Sequence, residues 1–143
     1  ARMIATNTGG DLLKITPVIP YPATYAELLA VSQKERNTQS LPEFVSDAKH
    51  VEDYDTVFIG YPNWWADMPR IVYHFLMKYD FSNATIIPFC THGGSGFSQT
   101  IPAIQKITGG TLKQGFEVTG KEVQNEPDRV ENRVIHWLKE IQE

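Results

Sequence analysis

Asp55-Thr56-Val57-Phe58-Ile59-Gly60 is a continuous apolar run rather than an alternating one. A strand with one wet face alternates, whereas an unbroken run belongs to a parallel strand covered on both faces. The run continues into Gly60-Tyr61-Pro62-Asn63-Trp64-Trp65-Ala66-Asp67-Met68-Pro69. Pro69 then stands where a helix tolerates proline, in its first turn. Ile71, Val72, Phe75, Leu76 and Tyr79 follow as one apolar stripe at helical spacing.

Downstream, Ala84-Thr85-Ile86-Ile87-Pro88-Phe89-Cys90-Thr91 reads as the next buried strand. Pro88 cannot donate to a ladder, which argues against a central position for it. Ser98 is a candidate cap for a helix carrying Ile101, Ile104 and Ile107, stopped by Gly109-Gly110. Residues 111–119 form a weaker strand. The last helix has Asn125 as its candidate cap and Pro127 in its first turn, with Val130, Val134, Trp137, Leu138 and Ile141 on one face.

Upstream, residues 37–50 are polar, contain Pro42 and read as a surface loop. Residues 23–35 are helical, with Tyr25, Leu28, Leu29 and Ser32 sharing a face. Asp11 to Thr16 reads as a short strand closed by Pro17, Pro20 and Pro22. Ala1 to Thr8 has the composition of a helix tail, ended by Gly9-Gly10. A helix tail at position 1 carries the expectation that something preceded it. Strands and helices thus alternate along the whole chain, which means a parallel sheet between two helical layers.

The 143 residues, 16.2 kDa, are enough for one core and too few for two, so 1–143 is read as a single domain. Apolar residues make up 41% and charged residues 21%, which argues against disorder. Net charge is −4 and the thirteen Lys and Arg are scattered, so no basic stripe follows a nucleic-acid backbone. A single cysteine, Cys90, excludes an internal disulfide and any multi-cysteine metal site. No apolar run approaches the roughly 20 residues that span a bilayer, and no signal-peptide pattern opens the chain. The expectation is a soluble, cytoplasmic domain that binds neither nucleic acid nor membrane.

In a parallel sheet, ligands bind beyond the carboxyl ends of the strands. Two loops leave buried strands there. In the first, Trp64 and Trp65 are adjacent, costly to expose and hard to bury together. They either plug the core edge or offer a flat face to a planar ligand, where stacking adds roughly 0.5–1.5 kcal/mol. The second, Thr91-His92-Gly93-Gly94-Ser95-Gly96-Phe97-Ser98, has three glycines in four residues. Such a loop lets the backbone approach a ligand and aim amides at it, next to a helix N-terminus.

Gly94-Ser95-Gly96 invites a hydrolase reading, but a nucleophile elbow needs glycine two places after the serine, where Phe97 stands. His50, His74 and His136 read as surface or edge residues. His92 alone lies in a candidate site, in a hydrogen-bonding role rather than as a general base. No histidine pair has metal-ligand spacing. Cys90, at a strand end, reads as a small buried hydrophobe.

The stretch Tyr54 to Trp65 closely resembles the third strand and following loop of bacterial flavodoxin-like proteins. Phe81 to Gly96 is similar to that family's fourth strand and flavin-contacting loop, in which a strand proline is usual. Lys34-Glu35-Arg36-Asn37 with Pro42 matches the connection between the second and third strands. The resemblance covers essentially the whole chain. It implies an α/β flavodoxin-like three-layer sandwich with a parallel sheet in the order 2-1-3-4-5 and FMN at the switch point.

On that resemblance the cofactor-binding residues are Tyr61, Pro62, Asn63, Trp64, Trp65, Thr91, His92, Gly93, Gly94, Ser95 and Gly96. Trp64 or Trp65 would stack on the isoalloxazine, and backbone groups of Pro62 and Asn63 would lie near the nitrogen protonated on reduction. The Thr91–Gly96 loop would meet the pyrimidine end through its amides. The implied function is that of an FMN-dependent electron carrier or a small flavin reductase of the quinone or nitro-compound type. Its partner would be a redox protein or a small quinone-like substrate, and a homodimer is compatible with it.

The chain also departs from the family pattern. The family's first strand and its Ser/Thr-x-Thr-Gly-x-Thr phosphate loop have no counterpart here. Burying about five fewer side chains at roughly 1.5–3 kcal/mol each costs on the order of 10 kcal/mol. The expectation is therefore a domain truncated at its N-terminus relative to the family, in which FMN occupancy is doubtful. The alternative reading is a flavodoxin-fold binding or interaction module that has lost its flavin.

Overall fold

The computed structural model describes residues 1–46 and 50–143. The chain opens with helix α1 (Arg2–Thr8), closed by Gly9 at φ 71°. Then come β1 (Thr16–Pro17), α2 (Tyr25–Thr38), β2 (Phe44–Val45), a 3-10 turn at Val51–Asp53 and β3 (Thr56–Pro62). They are followed by α3 (Arg70–Lys78), β4 (Thr85–His92), α4 (Thr100–Thr108), β5 (Thr111–Leu112) and β6 (Phe116–Thr119). The chain closes with α5 (Gly120–Asn125) and α6 (Pro127–Gln142). None of the described helices is long and apolar enough to cross a membrane.

β4 is central. It pairs in parallel with β3 from Thr56↔Thr85 to Pro62↔Thr91, and on its other side in parallel with β5 and then β6. Among the described residues β3 has no ladder partner on its second edge. Along β4 successive side chains enter opposite faces. Ile86 and Cys90 join Ile71, Val72, Phe75, Leu76 and Ile104 from α3 and α4. Ile87 and Phe89 pack with Val130, Val134, Trp137 and Leu138 of α6 and with Ile4 of α1. Both faces are covered, so both runs had to be apolar throughout. The result is the three-layer α/β sandwich.

Pro88 sits in this central strand, contrary to the argument that proline would exclude it. The ladder opens around it: β5 meets Thr85 and Ile86, β6 resumes at Phe89, and Gly115 lies between. A Cβ at Gly115 would lie 2.6 Å from the Pro88 carbonyl oxygen, so only glycine lets the neighbouring chain pass the proline at that distance. The expected strand over 111–119 is thereby split in two.

Four further expectations shift. The strand read over residues 11–16 shrinks to Thr16–Pro17, paired antiparallel with β2 in a ladder separate from the main sheet. Its Leu13 and Ile15 pack against the core instead, and Pro17 and Pro20 stop the ladder from growing. Ser98 does not cap α4: Gln99 precedes that helix, while Ser98 turns left-handed at φ 50°. Asn125 ends α5 rather than starting α6, because Thr119 and Glu122 form a capping box that begins a helix five residues earlier. The surface loop expected over 37–50 begins after α2 and contains β2; its residues 47–49 lie outside the described residues.

Candidate functional site

Parallel pairing of β3 and β4 sends the 61–65 and 91–96 loops out of the same end of the sheet. Asn63 joins them. Its backbone N–H donates to Thr91 O at 2.8 Å. Its side-chain Nδ2 donates to Gly96 O at 2.8 Å and to Ser98 Oγ at 2.9 Å. Beneath it Tyr61, only 4% exposed, donates its hydroxyl to Thr100 Oγ1, which in turn donates to Phe97 O. Burial pushes the Tyr61 phenol far above its ordinary value. Tyr61 is therefore a strut between β3 and α4, and Pro62 is a half-buried member of the β3 ladder beside Thr91.

The tryptophans sit on a two-residue hairpin. Trp64 and Asp67 exchange backbone hydrogen bonds at 2.8 and 3.1 Å, and Trp65 and Ala66 both turn left-handed, at φ 57° and 61°. Trp64 is half-buried, edge-on to Tyr21 with ring centroids 5.1 Å apart. Trp65 donates its indole N–H to the buried Ser32 Oγ at 2.9 Å and keeps 36% of its surface open. The pair is thus braced on α2 and on Tyr21 just before it, while Trp65 still presents an aromatic surface.

In the second loop His92 plays a hydrogen-bonding part. Its Nδ1 accepts the Gly94 N–H at 2.9 Å, which leaves the proton on Nε2, 3.9 Å from Glu117 Oε2. The Gly94 amide is therefore taken up by the loop itself. Among the described residues no hydrogen bond engages the amides of Gly93, Ser95 or Gly96. Gly94 and Gly96 turn at φ 146° and 62°, and a Cβ at Gly96 would lie 2.5 Å from the Glu117 carboxylate. Thr91 and residues 93–95 are exposed.

Cys90, below the loop, is fully buried, and burial pushes its thiol up to about 11, so it is inert at ordinary pH. Among the described residues no group of three His, Cys, Asp or Glu is placed to hold a metal ion. His74 donates its Nδ1–H to the Pro42 carbonyl oxygen at 2.7 Å and packs edge-on to Phe44, an edge role. An open depression of about 500 Å³ lies between α6 and residues 114–117. Its basic side chains are already partnered, Arg129 with Glu126, Arg133 with Glu122 and the His136 ring with Glu140.

Sequence reasoning missed the braces: Tyr21, Ser32, Asp67, Tyr73 and Glu117. The helical period groups Ser32 with Tyr25, Leu28 and Leu29 on one face of α2, which is the one available signal, although Tyr25 on that face is exposed. No local pattern marks Glu117, which reaches the glycine loop from β6.

Known proteins share this fold. No curated protein matches the chain significantly. Among solved structures, a candidate flavoprotein from Bacteroides eggerthii is 27% identical, with a TM-score of 0.77 over 99% of this chain and 87% of its own. One from Bacteroides uniformis is 26% identical, with a TM-score of 0.75 over 96% and 86%. A flavoprotein from Lactobacillus acidophilus, solved in complex with FMN, shares the fold at 16% identity and a TM-score of 0.69, over 86% of this chain and 85% of its own. The family profile described as flavodoxin matches residues 1–140. The chain belongs to the flavodoxin family.

Proposed function

We propose that the Tyr61–Trp65 and Thr91–Gly96 loops hold the ring system of FMN, and that the chain transfers electrons to a redox protein or a small quinone-like acceptor. The observation that carries this reading is the set of open amides on Gly93, Ser95 and Gly96, on a loop that Asn63 ties to the Trp64–Asp67 hairpin. Three donors on one short loop suit the carbonyl and nitrogen acceptors along a pyrimidine edge. Trp65 supplies aromatic surface at the neighbouring loop. The residues present therefore fit the ring.

Bound flavin would supply the oxidation–reduction chemistry; the protein supplies orientation and electrostatics. His92 holds the glycine loop through Gly94, and the Glu117 carboxylate beside Gly96 disfavours added negative charge nearby. The phosphate is a different matter. Residues 1–143 contain no Ser/Thr-x-Thr-Gly-x-Thr loop, and charge-assisted contacts of that kind contribute roughly 1.5–3 kcal/mol each. Affinity for the ring should therefore exceed any preference for the phosphate.

Quenching of flavin fluorescence by residues 1–143, titrated with FMN and with riboflavin, tests the proposal. The expected result is saturable quenching of both, with dissociation constants within about threefold of each other, since about 1.4 kcal/mol separates tenfold. Quenching of neither would favour the flavin-free binding module. Much tighter FMN binding would mean a phosphate site outside this account.

A further inference from the structure

The Trp64–Asp67 hairpin holds two consecutive side-chain-bearing residues, Trp65 and Ala66, in the left-handed region. A two-residue hairpin loop of this kind prefers Asn and Gly, because a Cβ there crowds the following carbonyl oxygen. Trp65 and Ala66 gain nothing from their own conformations, so the turn must be held from outside.

One support stands out by its geometry. Asp67 Oδ1 accepts the Tyr73 hydroxyl at 2.6 Å and the Met68 N–H at 2.7 Å. Tyr73 belongs to α3, a packed helix, and its ring is itself gripped: the Arg70 guanidinium lies 4.4 Å above it. Arg70 is fixed in turn by donating to the Ser40 and Gln39 carbonyls at the end of α2. Met68, 2% exposed, pins the far side of the turn in the core. Burial, then the Asp67 carboxylate, push the Tyr73 phenol far up, so it remains a donor throughout ordinary pH.

We propose that Tyr73 is a positioning residue: through the Asp67 carboxylate it holds the Trp64–Asp67 hairpin in its left-handed form and so fixes the face that Trp65 presents at the ligand rim. Where that face meets a flavin ring the proposal rests on the function proposed above; the conformational part does not.

The test uses Tyr73→Phe, which keeps the ring and its contact with Arg70 and removes only the hydroxyl. Hydrogen exchange of the indole N–H groups is followed by NMR on 15N-labelled protein. Trp65 donates to Ser32 and reports the hairpin; Trp137 donates to Gln114 O on the opposite face and is the internal control. Tyr73→Phe should speed Trp65 exchange at least tenfold and leave Trp137 within twofold. Adding Ala66→Gly, which removes the left-handed penalty at one of the two turn positions, should bring Trp65 back to within about threefold of the wild type. Asp67→Ala should reproduce the loss and be rescued in the same way. Unchanged Trp65 exchange in Tyr73→Phe would overturn the proposal, as would equal acceleration of both indoles or no rescue by glycine. With riboflavin as ligand, Tyr73→Phe should weaken binding about tenfold, and Ala66→Gly should recover it. A wild type that binds no riboflavin would sink the flavin reading, while indole exchange would still decide the role of Tyr73.

Discussion

Asn63→Ala is the most informative single change at the rim, because Asn63 is where the two loops meet. The substitution removes the Nδ2 donor from Gly96 O and Ser98 Oγ and leaves the backbone bond to Thr91 O in place. Each neutral hydrogen bond contributes about 0.5–1.5 kcal/mol net, so the two together contribute about 1–3 kcal/mol. Two features move the value within that range. Ser98 is held left-handed at φ 50°, and loses one of the bonds that keep it there. Against this, residues 93–95 are exposed, so water can replace part of the lost bonding. The balance is about 2 kcal/mol, or about 4–8 °C in Tm for a domain of this length.

Thermal unfolding by circular dichroism gives the stability, and hydrogen exchange resolved by residue gives its location. Exchange should accelerate over residues 93–98 and stay unchanged in the β3–β4 ladder. Riboflavin affinity should fall about tenfold, because the amide-bearing loop loses its tie to the aromatic one. Asn63→Asp, which keeps the size but points an acceptor at the Gly96 carbonyl, should lose at least as much at pH 7. An Asn63→Ala protein within about 0.3 kcal/mol of the wild type, with unaltered exchange over 93–98, would refute the idea that this side chain joins the loops.

Two further predictions follow from the fold. Gly60→Ala should lower stability by about 1–3 kcal/mol, since a Cβ there would lie 2.1 Å from the Phe89 ring of the paired strand and overpacking costs about that much; urea unfolding of Gly60→Ala alone and combined with Phe89→Leu should show the second change restoring part of the loss, and additive losses would contradict the clash. Glu122 accepts the Thr119 N–H and hydroxyl and faces Arg133, which together hold its carboxyl below its ordinary value. A carboxyl lowered on folding stabilises above its unfolded pKa and loses that stabilisation as pH falls through the folded value. Tm measured from pH 7 to pH 3 should therefore drop more steeply for the wild type than for Glu122→Gln, and parallel curves would remove the capping box from the account.

The sheet was legible because its pattern is redundant. Residues 55–60 and 84–91 each carry side chains for both core faces, so their unbroken runs leave no other arrangement. Pro88 was misleading for a local reason: proline removes one donor, and the cost depends on what lies opposite. Here the neighbouring chain simply breaks, with Gly115 against the ring, and the pairing of β4 with β3 is untouched. Ser98 and Asn125 were misplaced because capping rules compare neighbours in sequence. Ser98 is drawn off by Asn63, 35 positions away, and Asn125 is pre-empted by the stronger Thr119–Glu122 box. The two loops could be named from composition. Their braces could not, since Ser32, Tyr73 and Glu117 act only through contacts that the chain's path creates.

Those braces explain how the rim can be specific with so few polar groups. A flexible loop loses side-chain and backbone freedom when it closes on a ligand, and that loss subtracts from affinity. Here much of the ordering is done by the protein itself. Asn63 spends its side chain on Gly96 and Ser98, His92 takes up the Gly94 amide, Trp65 is anchored on Ser32, and Tyr61 ties β3 to α4. What stays open is a short row of amides on Gly93, Ser95 and Gly96 beside one exposed indole. On the function proposed above, such a surface would select by shape and by the spacing of acceptors, with His92 tied to the loop through Gly94 and the Glu117 carboxylate beside Gly96 disfavouring anions there. The flavin ring of the proposed function, flat, largely neutral and with acceptors along one edge, would lose little on entering it.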